Sequence, residues 1–326
     1  MNKDVSKPLI NPALQQKLLA FASLVALIVF FGIASENFLQ LDNIVNILQA
    51  TAVNGVLAIA CTMVIVTAGI DLSVGTLMTF CAVITGLVLT NMGLPLGAGI
   101  VAALLAGTLS GFVSGTLVAR FKIPPFIATL GMMMVLKGLS LVISGTRPIY
   151  FNDTPNFSVI AQDSLIGAVL PALPIPNAVL IMFAVAGLFG LILNKTVLGR
   201  YAQAIGSNEE AVRLSGVNVR FWKITIYAVS GAVCGVAGLL IASRLNSAQP
   251  ALGQGYELDA IAAVVIGGTS LSGGKGTIVG TLIGAFIMSV LTNGLRVMSV
   301  AQEWQTVVTG AIIILAVYAD KARRQS

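Results

Sequence analysis

A polar segment between two hydrophobic runs, Lys195–Lys223, carries the residues whose types and spacing best suit specific contacts. It holds five of the chain's 18 basic residues, which are Lys195, Arg200, Arg213, Arg220 and Lys223. The sequence around it is almost entirely apolar. A charged segment in such a setting indicates a surface that meets a soluble partner.

The spacing within residues 206–216, GSNEEAVRLSG, predicts a short helix. Ser207 and Glu210 have the S-x-x-E spacing of a capping box. Gly216 suits the helix end, where glycine adopts the left-handed conformation at little cost. Acidic Glu209 and Glu210 at the start and basic Arg213 near the end complement the helix dipole. We expect two turns, about 12 Å long, although a solvated loop with well-defined ends would carry the same signals.

Composition assigns the elements around this segment to a membrane. The chain has 326 residues, of which 57% are hydrophobic and 9% charged, against about 25% charged residues in soluble domains. Several uncharged runs reach or exceed the roughly 20 apolar residues that a bilayer crossing requires. The predicted fold is therefore all-α, a polytopic membrane helix bundle.

Hydropathy and turn residues divide the chain into ten predicted spans. Their limits are 18–34, 43–66, 73–90, 96–119, 125–145, 178–194, 223–243, 258–272, 277–295 and 304–319. The eighth is short and ends in glycine, so a broken or re-entrant element is an alternative there.

Basic residues orient these spans, because cytoplasmic loops are enriched in Lys and Arg. With the N-terminus inside, 14 basic residues fall on the cytoplasmic side, three fall outside, and Lys137 lies within a span. We therefore expect a single transmembrane domain, 18–320, between cytoplasmic tails 1–17 and 321–326. The polar loop 195–222 is then cytoplasmic, and the proline-rich segment 146–177 is an ordered extracytoplasmic cap.

The same composition argues against several other classes. Basic residues cluster in short loops and not on a face with exposed aromatics, which disfavours nucleic-acid binding. Histidine is absent, and the three cysteines lie in apolar runs without a C-x-x-C pair, so no metal or disulfide is predicted. Residues 1–17 lack a cleavage-site pattern, and we expect the first span to be retained.

Three motifs resemble the ribose-type permeases of ATP-binding-cassette (ABC) sugar importers. The first lies in residues 206–219, the second runs from Ser247 through Gly276, and the third is Gly69-Ile70-Asp71-Leu72-Ser73-Val74-Gly75. The resemblance extends over roughly residues 36–320. Residues Ala68–Gly75, which include the third motif, are also similar to Gly267–Gly274, 199 residues later, which suggests an internal repeat of the kind found in transporters.

The resemblance implies a mechanism and a set of partners. Two permease copies form the pathway for a monosaccharide, cytoplasmic ATP-binding subunits dock on a coupling segment, and an extracytoplasmic sugar-binding protein delivers the substrate. The implied coupling residues are Ser207, Asn208, Glu209, Glu210, Ala211, Arg213 and Gly216. ATP is expected in the partner and not in this chain, because Gly267–Gly276 fails the register of a phosphate-binding loop. We therefore predict no cofactor and no catalytic residue here.

Polar residues inside the spans are candidates for the pathway. Asn54, Asp71 and Asn293 are the three we single out. Polar packing between helices is the competing explanation for the two asparagines, and capping of the following helix is the favoured one for Asp71. Lys137 is expected to face the bundle, pair with an acid, or snorkel.

The sequence thus predicts the membrane subunit of an ATP-driven monosaccharide importer in the cytoplasmic (inner) membrane. An ion-coupled secondary transporter of a small polar solute is the alternative. That class would be expected to carry coupling acids or histidines within its spans. Which sugar is carried stays open at this point.

Overall fold

The structure is a computed structural model that describes residues 12–171 and 173–325, with side chains for residues 15–171 and 173–318. Helices dominate the described residues. In chain order they are α1 (Pro12–Ala34), α2 (Leu41–Ile65), α3 (Val74–Gly86), α4 (Leu96–Ala119), α5 (Pro125–Ser144), α6 (Leu165–Val169), α7 (Asn177–Lys195), α8 (Val197–Ser207), α9 (Glu209–Leu214), α10 (Val219–Leu245), α11 (Tyr256–Ile266), α12 (Ile278–Val297) and α13 (Gln302–Gln325). A π-helical turn, Leu87–Asn91, extends α3. Residues 1–11 of the predicted cytoplasmic tail lie outside the described part.

Eight helices of the described chain are long and apolar enough to cross a membrane, namely α1, α2, α3 with its π turn, α4, α5, α7, α10 and α12. The all-α membrane fold is therefore confirmed. The remaining two predicted spans correspond to α11 and α13. Helix α11 has 11 residues, about 16 Å or half the roughly 30 Å of a bilayer core. Ten crossings and the orientation of the termini stay predictions.

Helix α10 lies at the centre of the bundle, packed closely against α4. A Cβ on Gly107 or Gly111 of α4 would clash with the backbone of Gly231 or Tyr227 of α10. Such glycines allow membrane helices to approach until their backbones touch. Helix α2 lies behind them and is buried from Thr51 to Ile65 apart from Asn54. These three helices form the rigid frame against which the loops are positioned.

The described residues of segment 146–177 (146–171 and 173–177) are structured and cover one end of this frame. Its strand β1 (Ile149–Tyr150) pairs antiparallel with β2 (Ser247–Ala248), which follows α10. The Ser243 hydroxyl near the end of α10 donates to the Phe157 carbonyl at 2.8 Å. Within the described part of this segment, α6 is a five-residue helix, too short to span. Its position outside the membrane stays a prediction.

Candidate functional site

The polar segment 195–223 folds into two helices and not one. Helix α8 ends at Ser207 and α9 begins at Glu209, with only Asn208 between them. Helix α9 has six residues, about 9 Å, so it is shorter than the two turns predicted. Tyr201 of α8 packs against Trp222 of α10 with ring centroids 5.0 Å apart. The aromatic contact holds α8 against the central helix.

The N-cap of α9 is Asn208, and the predicted capping box of Ser207 and Glu210 is wrong. Asn208 is extended (φ −160°, ψ 94°), and its Oδ1 accepts a hydrogen bond from the Ala211 amide at 2.9 Å. Ser207 is the last residue of α8. A cap must leave helical geometry to bond the free amides ahead, which Ser207 does not do. Asparagine ranks with serine as a cap, so Asn208 was a readable alternative.

The end of α9 is as predicted. Gly216 has φ +82°, the left-handed conformation that glycine adopts without a Cβ penalty. The Ser215 hydroxyl donates to the Ala211 carbonyl at 2.9 Å. Helix α9 therefore ends at Leu214, and the chain turns at Gly216 toward α10.

Two ion pairs organise the charges of α9. Arg213 binds both carboxylate oxygens of Glu210, at 3.0 Å from Nε and 2.5 Å from Nη2. These hydrogen bonds lower the pKa of Glu210 below its ordinary value. Lys223 of α10 donates to Glu209 at 2.6 Å. The second pair joins residues 14 positions apart and ties α9 to the first turns of α10.

A cavity of about 760 Å³ lies between α9, the start of α10 and the connection from α4 to α5. Its charged lining residues are Lys122, Glu209, Glu210, Arg213, Arg220 and Lys223. Glu210 and Glu209 are paired with Arg213 and Lys223, so four cations against two anions leave a net positive lining. This cavity suits a protruding acidic segment of a soluble protein.

The α4–α5 connection is the part of this site that sequence reasoning missed. Lys122 adopts φ +58°, a conformation uncommon outside glycine, and Pro124 and Pro125 complete the wall. The distribution of basic residues assigns residues 120–122 to the same side as the polar segment. This shared side was the signal available in the sequence, but it does not show that the α4–α5 connection and the polar segment touch.

The C-terminal end of α8 touches two other connections of the bundle. The Gly274 amide, between α11 and α12, donates to the Val66 carbonyl at the end of α2 at 2.9 Å. Gly206 lies against both groups, and Ser207 contacts Gly274. We call these four residues the junction. The end of α8 therefore lies in direct contact with the turns before α3 and before α12.

Asp71 lies in the turn that follows this end of α2. It is buried, and its Oδ1 accepts from the amide and hydroxyl of Ser73 at 2.8 and 2.6 Å. Ser73 precedes the first residue of α3. The N-cap of α3 is Ser73, so Asp71 does not cap the helix as predicted but stabilises the turn that enters it. Contact of Asp71 with a solute stays a prediction.

The other two pathway candidates lie on different helices. Asn54 is half-buried in α2. Asn293 of α12 exchanges two 3.0 Å hydrogen bonds with Asn43 at the start of α2. Such a reciprocal amide pair joins two helices. A pathway role for either asparagine stays a prediction.

Comparison with known proteins places the chain in a family. Residues 43–317 match the family described as branched-chain amino acid transport system / permease component. The ribose import permease protein of Haemophilus influenzae is 44% identical to this chain, over 92% of each of the two proteins. That of Escherichia coli strain K12 is also 44% identical, over 93% of this chain and 94% of the relative. That of Bacillus subtilis strain 168 is 40% identical over 94% of each chain. No solved structure matches. The chain therefore belongs to this family of transport-system permease components.

Proposed function

We propose that this chain is the membrane-spanning permease subunit of an ABC importer that carries a ribose-like monosaccharide across the cytoplasmic membrane. The observation that supports it most directly is the match, over nearly their whole length, to proteins named ribose import permeases. The family description names branched-chain amino acids. We favour a sugar because the named relatives at 40–44% identity carry that substrate in their names.

The cavity beside α9 is the proposed docking site of the ATP-binding subunit. A protruding partner segment that fills it contacts α9 on one side and the α4–α5 connection on the other. The ion pair of Glu209 with Lys223 makes α9 and the start of α10 move together. Closure of the partner then shifts α8 and the junction. This displacement favours one of two packings of the turns that enter α3 and α12.

The remaining partners follow the same proposal. ATP is hydrolysed by the separate subunit, and this chain supplies no catalytic group. The structured segment 146–177, held by Ser243 and by the pairing of β1 with β2, is the proposed surface for an extracytoplasmic sugar-binding protein. A second copy of the chain completes the pathway.

Reconstitution tests the proposal against an ion-coupled transporter. The chain is placed in liposomes with its ATP-binding and sugar-binding subunits, and uptake of labelled ribose is measured with ATP or with an ion gradient. We expect uptake to require ATP and both partners. Uptake driven by an ion gradient without the ATP-binding subunit would refute the assignment.

A charge reversal tests the docking site. Glu209→Lys replaces the ion pair with Lys223 by a like-charge contact. We expect this repulsion to separate α9 from α10 and so deform the cavity, which should weaken binding of the ATP-binding subunit without changing membrane insertion, even though the lining becomes more positive. Glu303→Lys, at an exposed acid in the first turn of α13, is the matched control and should bind normally. Equal binding by both variants would remove Glu209 from the docking site.

A further inference from the structure

Lys137 carries a charge at a depth where lipid does not tolerate one. It lies seven residues before the end of α5 at Ser144, about 10 Å along the helix axis. Helix α5 itself is about 30 Å long, which matches the hydrocarbon core. Lys137 is half-buried. Charged residues in spans face the bundle interior or a water-filled cavity.

The amine does not extend toward the membrane surface. Nζ donates to Oε1 of Gln254 at 3.0 Å, so among the side chains that the structure describes Lys137 neither pairs with an acid nor snorkels, two of the roles expected from sequence. Gln254 is exposed on the surface of the single chain. Two hydrogen-bonding side chains therefore meet at the same depth, one exposed and one half-buried.

Contacts of the neighbouring residue fix the depth of Gln254. Gly253 packs against the backbone of Gly75 in the first turn of α3. One turn further, the Met78 carbonyl lies against Gly238, seven residues before the end of α10. Gln254 is thus at least about 10 Å below that end. The ends of α10 and α5 both lead into the β1–β2 pair, so the two depths are measured from the same side.

The backbone around Gln254 indicates independently that this residue faces water at membrane depth. Residues 249–255 are not helical, and α11 begins only at Tyr256. Non-helical backbone at membrane depth is tolerated where protein buries it or where it lines water. Gly253 is buried but Gln254 is exposed, so the exposed face requires water and a further wall that the described residues of a single chain do not provide.

We propose that Lys137 and Gln254 line a water-filled pathway that is closed by the same face of a second copy of the chain. The ammonium group supplies donors, and the amide supplies both a donor and an acceptor, which suits the hydroxyl groups of a neutral, polyhydroxylated solute. Several weak hydrogen bonds of this kind orient a solute without retaining it. This inference rests on the proposed function, since it assumes a second permease copy.

Thiol labelling tests the proposal in lipid. Gln254→Cys and Leu109→Cys are reconstituted separately and treated with a charged, membrane-impermeant thiol reagent. Leu109, 63% exposed in the middle of α4, is the matched lipid-facing control. The native cysteines, Cys61, Cys81 and Cys234, are buried. We expect labelling at position 254 to be at least about 100-fold faster, the penalty for bringing a charge into lipid.

A bifunctional thiol reagent tests the second copy. Gln254→Cys should give a covalent dimer, whereas Leu109→Cys should not. Equal labelling of the two variants would overturn the water-lined face, and labelling without a dimer would overturn its closure by a second copy. Both measurements need neither ATP nor sugar, so their failure is distinguishable from a failure of ATP-driven uptake. Lys137→Cys repeats the labelling test if the first variant does not fold.

Discussion

Replacing Gly206 with alanine tests the junction directly. A Cβ at this position would overlap the Val66 carbonyl oxygen and lie 2.5 Å from the Gly274 nitrogen, against an optimal separation of about 3.5–4.0 Å between non-bonded heavy atoms. The obstructing atoms are backbone, so no rotamer change relieves the clash. The Gly274–Val66 hydrogen bond of 2.9 Å must lengthen or break.

The expected cost combines two effects. Overpacking costs about 1–3 kcal/mol, and loss of one hydrogen bond adds about 1 kcal/mol. We therefore expect Gly206→Ala to be destabilised by about 2–4 kcal/mol, with a lower thermal unfolding midpoint in detergent. Because the junction links α8 to both turns, ATP-driven uptake should fall more steeply than binding of the ATP-binding subunit.

Gly190→Ala is the matched control for this substitution. Gly190 lies within α7, where a Cβ would meet no neighbouring atom of the described residues within 4 Å. Alanine is favoured over glycine in a helix by about 1 kcal/mol. Its uptake and unfolding midpoint should be unchanged or slightly higher. If Gly206→Ala matches Gly190→Ala in both measurements, the close contact at the junction is not required and the reasoning is refuted.

Three further substitutions concern α9. Asn208→Ala should destabilise α9 by about 1 kcal/mol, seen as faster amide exchange in that helix, whereas Ser207→Ala should leave the cap intact. Faster exchange in Ser207→Ala than in Asn208→Ala would identify Ser207 as the cap. The contact of Arg213 with Glu210 is present above the lowered pKa of Glu210 and is lost as pH falls through it. Arg213→Gln removes that contact, so the pKa of Glu210 should rise toward 4.5, as measured by carboxyl titration. Gly216→Ala should cost about 1–2 kcal/mol through its positive φ; unchanged unfolding would contradict that strain.

Local pattern was sufficient for most helices. The predicted limits 96–119 and 125–145 differ from α4 and α5 by at most one residue, because a long apolar run bounded by Pro or charge has one stable form in lipid. The cap of α9 was missed by one residue. Adjacent Ser207 and Asn208 have similar cap preferences, and only the continuation of α8 against α10 chooses between them.

The amino-acid sequence by itself determined that this protein is a helical membrane protein with a charged, structured segment, because hydrophobic runs and cap residues act locally. The tertiary structure decided which distant groups meet. It pairs Glu209 with Lys223, brings Gly274 to Val66, and draws Lys137 to Gln254. Close backbone approaches at Gly206 and Gly253 accompany the second and third of these contacts, and no local pattern in the sequence encodes which distant segments approach each other.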